Sequence, residues 1–98
     1  MRTLVGLLVV VSFALAQEKS DYQVVQEFQV KYKAIQKATE AAATVQDCGS
    51  IAYSINELER ENADYKKLLD KALYPDGFEG KIQNARLQLR LAQDKLGV

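Results

Sequence analysis

The sequence predicts an all-α protein with coiled-coil-like heptad seams, folded either as an antiparallel helical hairpin or as a three-helix bundle. Apolar residues recur at three- and four-residue steps along most of the chain, which is the spacing of one helix face. No segment has the apolar-polar alternation of a half-buried strand. The single proline and the sparse glycines stand where helices would begin or end.

Residues 1–16 have the layout of a cleavable signal peptide. Arg2 supplies a positive charge, an apolar run follows it, and small residues stand at Ala14 and Ala16. The run is shorter than the roughly 20 apolar residues that a membrane-spanning helix needs. We therefore expect cleavage after Ala16 and a secreted or periplasmic mature protein, residues 17–98, that forms one helical domain without a membrane span.

The first predicted helix covers residues 20–47. Ser20 is placed as its N-cap, with Gln23 as the capping-box partner. Gly49 follows the helix at a position where a left-handed residue closes the last turn. The apolar face is predicted to consist of Val25, Phe28, Tyr32, Ile35, Ala38, Ala42 and Val45.

The second predicted helix covers residues 51–74, with Ser50 as its N-cap. Its apolar residues follow alternating four- and three-residue steps, which is a heptad seam that only Asn62 interrupts. Pro75 ends the helix because proline lacks the backbone N–H that a helix interior uses. The seam residues are Ile51, Ile55, Leu58, Tyr65, Leu69 and Ala72.

The third predicted helix covers residues 78–96. Asp76 is placed as its N-cap and Glu79 as the capping-box partner. Leu87 and Leu91 are predicted to widen its seam toward the core. The seam itself consists of Phe78, Ile82, Ala85, Leu89, Ala92 and Leu96.

A chain of this size obtains little stability from one core, and small exported domains often add disulfides or oligomerise. Cys48 is the only cysteine, so no internal disulfide is possible. Short connections between the helices favour antiparallel neighbours. The helices therefore either close into a bundle or form an extended hairpin completed by another subunit, and we expect a homo-oligomer.

The composition excludes several classes of chemistry. The chain has no histidine, so it cannot form a Ser-His-Asp triad, a Cys-His dyad or a usual zinc site. Its 13 basic and 13 acidic residues balance, whereas a nucleic-acid-binding protein concentrates basic residues on one face. Acidic pairs such as Glu57 and Glu61 are typical of a solvated helix face. We expect no enzyme activity, no metal and no cofactor.

Three residues depart from the simple pattern. Cys48, beside Gly49 in a predicted turn, is either an accessible thiol for an intermolecular disulfide or a small buried filler. Asn62 either fixes the register of the seam or lies at its edge in water. Tyr53 falls off the seam, where it is either an exposed contact residue or a ring that covers the seam edge.

The expected function is that of a small exported interaction protein that self-associates through its heptad seams. Adhesins, scaffolds and accessory subunits belong to this class, and the partner is another copy or an envelope or extracellular protein. The alternative is a periplasmic holding chaperone that shelters unfolded clients. A secreted helical ligand or effector is a third possibility, for which the sequence contains no receptor-binding motif.

Overall fold

A computed structural model describes residues 19–97, so the predicted signal peptide lies outside the described residues. Within this range the chain is helical without a strand, which confirms the predicted all-α class. Four α-helices and one 3₁₀ turn follow in order: α1 Asp21–Ala41, α2 Val45–Glu61, the 3₁₀ turn Ala63–Tyr65, α3 Lys66–Ala72 and α4 Gly77–Leu96.

All four helices contribute side chains to one apolar core, and α4 packs against each of the other three. Phe28 of α1 meets Phe78 of α4 with ring centroids 5.6 Å apart in a tilted arrangement, a geometry that aromatic pairs favour. The helices form a compact globule around the buried residues Val24, Phe28, Tyr32, Ile35, Cys48, Ile51, Ile55, Leu58, Leu69, Leu73, Phe78, Ile82, Ala85 and Leu89.

Helix α1 begins where the sequence predicts. The hydroxyl oxygen of Ser20 accepts the backbone N–H of Gln23 at 3.2 Å. The buried face differs from the predicted one near both ends of the helix. Val24 rather than Val25 is buried near the start, and near the end Ala38 is exposed while Thr39 is buried. The Thr39 hydroxyl donates a hydrogen bond of 2.7 Å to the Ile35 carbonyl oxygen, which satisfies the hydroxyl inside the core.

The predicted turn at residues 48–50 is wrong, because α1 ends at Ala41 and α2 already begins at Val45. The Thr44 hydroxyl oxygen accepts the Asp47 N–H, and the Asp47 carboxylate accepts the Thr44 N–H, both at 3.1 Å. This reciprocal capping box fixes the helix start. Gly49, which we expected to close α1, therefore lies within α2.

The predicted helix over residues 51–74 is interrupted at Asn62, so its heptad seam is not continuous. Asn62 is buried, and its side-chain Nδ2 donates to the Leu58 carbonyl oxygen at 2.9 Å. In a continuing helix the backbone N–H of Asn62 would use that carbonyl. The backbone N–H turns instead to the Arg60 carbonyl oxygen, and α2 gives way to the 3₁₀ turn.

The start of α4 is capped by a residue that the sequence analysis did not assign. Asp76 makes no side-chain capping bond, whereas the Asp70 carboxylate accepts the backbone N–H of Phe78 at 2.9 Å. Gly77 has a φ of 71°, and a Cβ at this position would lie 2.9 Å from Asp70 Oδ1. The close approach and the left-handed backbone together require glycine here.

Helix α4 turns one face to the core and leaves two leucines outside it. Leu87 and Leu91, predicted to widen the seam, are 52% and 46% exposed. The reason is their angular position, since the core face of α4 is already filled by Phe78, Ile82 and Leu89. None of the helices in residues 19–97 is long and apolar enough to cross a membrane.

Candidate interaction surface

An apolar groove of about 530 Å³ runs between α1 and α2. We call it the α1–α2 groove. Buried apolar side chains form its floor, and small or aromatic residues form its walls. The floor consists of Ile35, Ile51 and Leu58, and the walls of Ala34, Ala38, Tyr53 and Ser54.

The groove exists because small side chains on both helices leave space above its buried floor. Ala34 and Ala38 lie one turn apart on α1 and are exposed, with Ser54 across from them on α2. The Ser54 hydroxyl donates to the Ser50 carbonyl oxygen of its own helix at 3.1 Å, so this donor is already used. The middle of the groove therefore presents mainly apolar surface and no charged side chain.

Ion pairs stand at one end and along the α2 rim of the groove. Lys31 Nζ lies 2.7 Å from Glu61 Oε2, which ties α1 to α2. The Arg60 side chain donates to the Glu57 carboxylate, with Nε 3.1 Å from Oε1. This hydrogen bond lowers the pKa of Glu57, whereas a carboxyl that acts as a general acid near neutral pH needs a raised pKa. Glu57 and Glu61, the acidic pair that the sequence places on a solvated helix face, both lie on the groove rim.

Tyr53 stands on the α2 wall of the groove with 66% of its surface exposed. Val30 is also exposed and precedes Ala34 by one turn of α1, so it extends the same helix face. Tyrosine is enriched at protein interfaces because its ring offers apolar area and a polar tip. The contact role of Tyr53 stays a prediction.

Cys48 lies in the core rather than in an accessible turn. It belongs to α2 and is 1% exposed, because the capping box at Thr44 starts the helix before it. Of the two alternatives for Cys48, its burial agrees with the small buried filler and not with the accessible thiol. An intermolecular disulfide through Cys48 stays a prediction, and forming it would require the first turns of α2 to open.

Asn62 lies outside the lining of the groove, at the end of α2 beside Glu61. Its hydrogen bond to Leu58 is internal to the chain, and its register role stays a prediction. Sequence reasoning missed the groove because it assigned Ala38 to the core seam. The signal that was present is the placement of alanines one turn apart at residues 34 and 38.

A second exposed apolar surface lies on α4. Leu87 and Leu91, one turn apart, form what we call the α4 ridge. Arg90 lies beside them and is exposed, without an ion pair to any residue in the 19–97 range. Arg86, by contrast, is held by Glu59, with Nη2 2.7 Å from Oε1. The ridge is thus apolar, and beside it lies the positive charge of Arg90, which has no ion-pair partner within residues 19–97.

The described part of the chain holds no cluster of the side chains that usually bind a metal ion. No group of three histidine, cysteine or acidic residues in residues 19–97 gathers around a common point. Buried side-chain polar atoms in the same range all have hydrogen-bond partners, so none is directed at an absent group. Comparison with protein-family models, curated proteins and solved structures finds no match for this chain.

Proposed function

We propose that this protein is a small exported, non-catalytic helical protein that works by associating with copies of itself, as a scaffold, adhesin or accessory subunit does. The observation that carries the proposal is the α1–α2 groove, whose lining is mainly apolar and whose walls include the exposed residues Ala34, Ala38 and Tyr53. The signal-peptide layout of residues 1–16 supports export.

The groove has the properties of a surface that another helix covers. A helix that docks in a groove places side chains one turn apart into an apolar channel. Removing apolar surface from water contributes roughly 25 cal/mol per Å². The side chains of Ala34 and Ala38 in the groove wall are small, which allows a second helix to approach closely. Tyr53 offers an aromatic contact at the rim.

Self-association through the predicted heptad seams receives less support than association through the groove. The seam residues Phe28, Ile55 and Ile82 are almost wholly buried within one chain, so they are not free to contact another copy. Within this proposal the helices form a closed bundle rather than an extended hairpin. The support for the bundle is the single core to which all four helices contribute.

The holding-chaperone alternative is less well supported. A chaperone that shelters unfolded clients needs a broad, adaptable apolar surface. The described residues offer the α1–α2 groove with ion pairs at its edge, a smaller cavity between the ends of α1 and α4, and a pair of exposed leucines. Such limited surfaces suit a specific partner of fixed shape.

The test is sedimentation of residues 17–98 over a wide range of concentration. We expect the wild-type protein to associate, and Ala34→Glu to weaken association at least about tenfold, because a carboxylate without a partner is costly to bury in an apolar interface. Ala34 is exposed, so the variant should retain its helical circular dichroism.

The matched control is Ala72→Glu, since Ala72 is an exposed alanine on α3 that does not line the groove. This variant should associate like the wild type. A wild-type protein that stays monomeric at every concentration, or an Ala34→Glu variant that associates normally, would contradict the proposal.

A further inference from the structure

The two exposed apolar surfaces are separate, since they have no residue in common. The α1–α2 groove is lined by residues of α1 and α2 alone, and α4, which packs against both helices, contributes no residue to it. At 100° per residue, Leu87 lies about 160° around α4 from the buried Ala85 and Leu89. The α4 ridge therefore faces away from the core. Leu91 also lines a cavity with Thr39 and Glu40 at the end of α1, and neither ridge leucine lines the groove.

The ridge and the groove are complementary in shape. Leu87 and Leu91 project from α4 one turn apart, and Ala34 and Ala38 leave space one turn apart on α1. Side chains at this spacing form the ridges that fit into grooves when helices pack. The convex leucines and the concave alanine wall thus have the same repeat along the helix axis.

The ridge and the groove are also complementary in charge. Arg90 beside the ridge has no ion pair among residues 19–97, whereas the α2 rim of the groove presents the carboxylates of Glu57 and Glu61. Each carboxylate has a basic partner but keeps capacity to accept further hydrogen bonds. Asp94, one turn beyond the ridge on the same face of α4, offers the opposite charge to Lys31 at the groove end.

We infer that the groove of one copy is occupied by the α4 ridge of a second copy, so that the protein associates head to tail. This inference rests on the proposed self-association and adds which surface of the second copy occupies the groove. Because the two surfaces are different and have no residue in common, a pair of copies joined by one such contact still presents one free groove and one free ridge. Such a contact produces an open chain or a closed ring rather than a two-fold dimer.

Two blocked variants test this geometry by complementation. Ala34→Glu blocks the groove and Leu87→Glu blocks the ridge, and both positions are exposed, so folding should be retained and is checked by circular dichroism. Each variant alone should be monomeric in sedimentation at concentrations where the wild type grows beyond a dimer. An equimolar mixture should form a one-to-one heterodimer that does not grow further, because it contains one intact groove and one intact ridge.

Three results would overturn the head-to-tail contact. The first is a Leu87→Glu variant that associates like the wild type while Ala34→Glu does not, which would indicate groove-to-groove pairing. The second is a mixture that stays monomeric, and the third is a wild-type assembly that stops at a dimer. In all three cases self-association itself would stand, whereas a monomeric wild type would remove the proposed function.

Discussion

At the residue scale, two glycines that look alike in the sequence have different roles. Gly77 has a left-handed backbone beside Asp70 at the start of α4, whereas Gly49 lies inside α2 with open space around it. Both glycines are predicted at turns by their place between apolar segments. Only Gly77 is required by its conformation, because an L side chain there is strained and would contact the Asp70 carboxylate.

These roles predict opposite effects of the same substitution. Gly77→Ala should lower the free energy of unfolding by about 2 kcal/mol, since a left-handed L residue alone costs about 1–2 kcal/mol. Gly49→Ala should raise it by about 0.5–1 kcal/mol, because alanine restricts the unfolded chain and favours the helix. Urea denaturation of both variants measures the difference. Equal shifts would contradict the assigned conformations.

The burial of Cys48 makes a second prediction at this scale. The native thiol should react with an aromatic disulfide reagent at least about tenfold more slowly than in denaturant, because reaction requires local opening of α2. The control is the double variant Val45→Cys with Cys48→Ala, since Val45 is exposed in the same turn. Equal reaction rates for the two native proteins would show that Cys48 is accessible after all.

At the scale of helices, hydrogen bonds to ionised carboxylates cap the start of α2 and join α2 to α4. The Asp47 carboxylate accepts the backbone N–H of Ala43 and of Thr44. These two hydrogen bonds, together with the contact to the Thr44 side chain, lower the pKa of Asp47. Arg86 on α4 donates to Glu59 on α2 and lowers the pKa of that carboxyl in the same way. Both carboxylates favour the folded state only while they are ionised.

The pH dependence of stability follows from the direction of these shifts. A carboxyl whose pKa is lower in the folded state stabilises the fold above its ordinary value, which is 3.8 for Asp47 and 4.5 for Glu59. That contribution is lost as the pH falls through the lower folded pKa. The melting temperature should therefore fall below about pH 4, and Glu59→Gln should lose less stability in acid than the wild type does. An identical acid profile for this variant would contradict the role of the Arg86 contact.

Sequence patterns predicted that each segment is helical more reliably than they predicted where each helix begins and ends. Helical periodicity identified all-α structure, and the side-chain cap at Ser20 located the start of α1. The start of α2 was missed because Gly49 was weighed above the capping pair Thr44 and Asp47. The break at Asn62 was missed because a single polar residue does not disturb a heptad pattern, although its amide does replace a backbone donor.

At the scale of the whole molecule, the division between core and surface could not be predicted from periodicity alone. Ala38, Leu87 and Leu91 all lie at helical spacing from core residues, yet all three are exposed. Which apolar residues stay outside depends on how the helices pack against one another, and a single helix pattern does not contain that information. These exposed residues make up the surfaces to which we assign self-association.

The most direct measurement is sedimentation of wild-type residues 17–98 over a wide range of concentration, with and without reductant. Association through the α1–α2 groove predicts an average mass that rises with concentration and does not change with reductant, because Cys48 is buried in the core. A mass equal to one chain at every concentration would contradict self-association, and an assembly that reductant dissolves would place the contact at Cys48 instead of the groove.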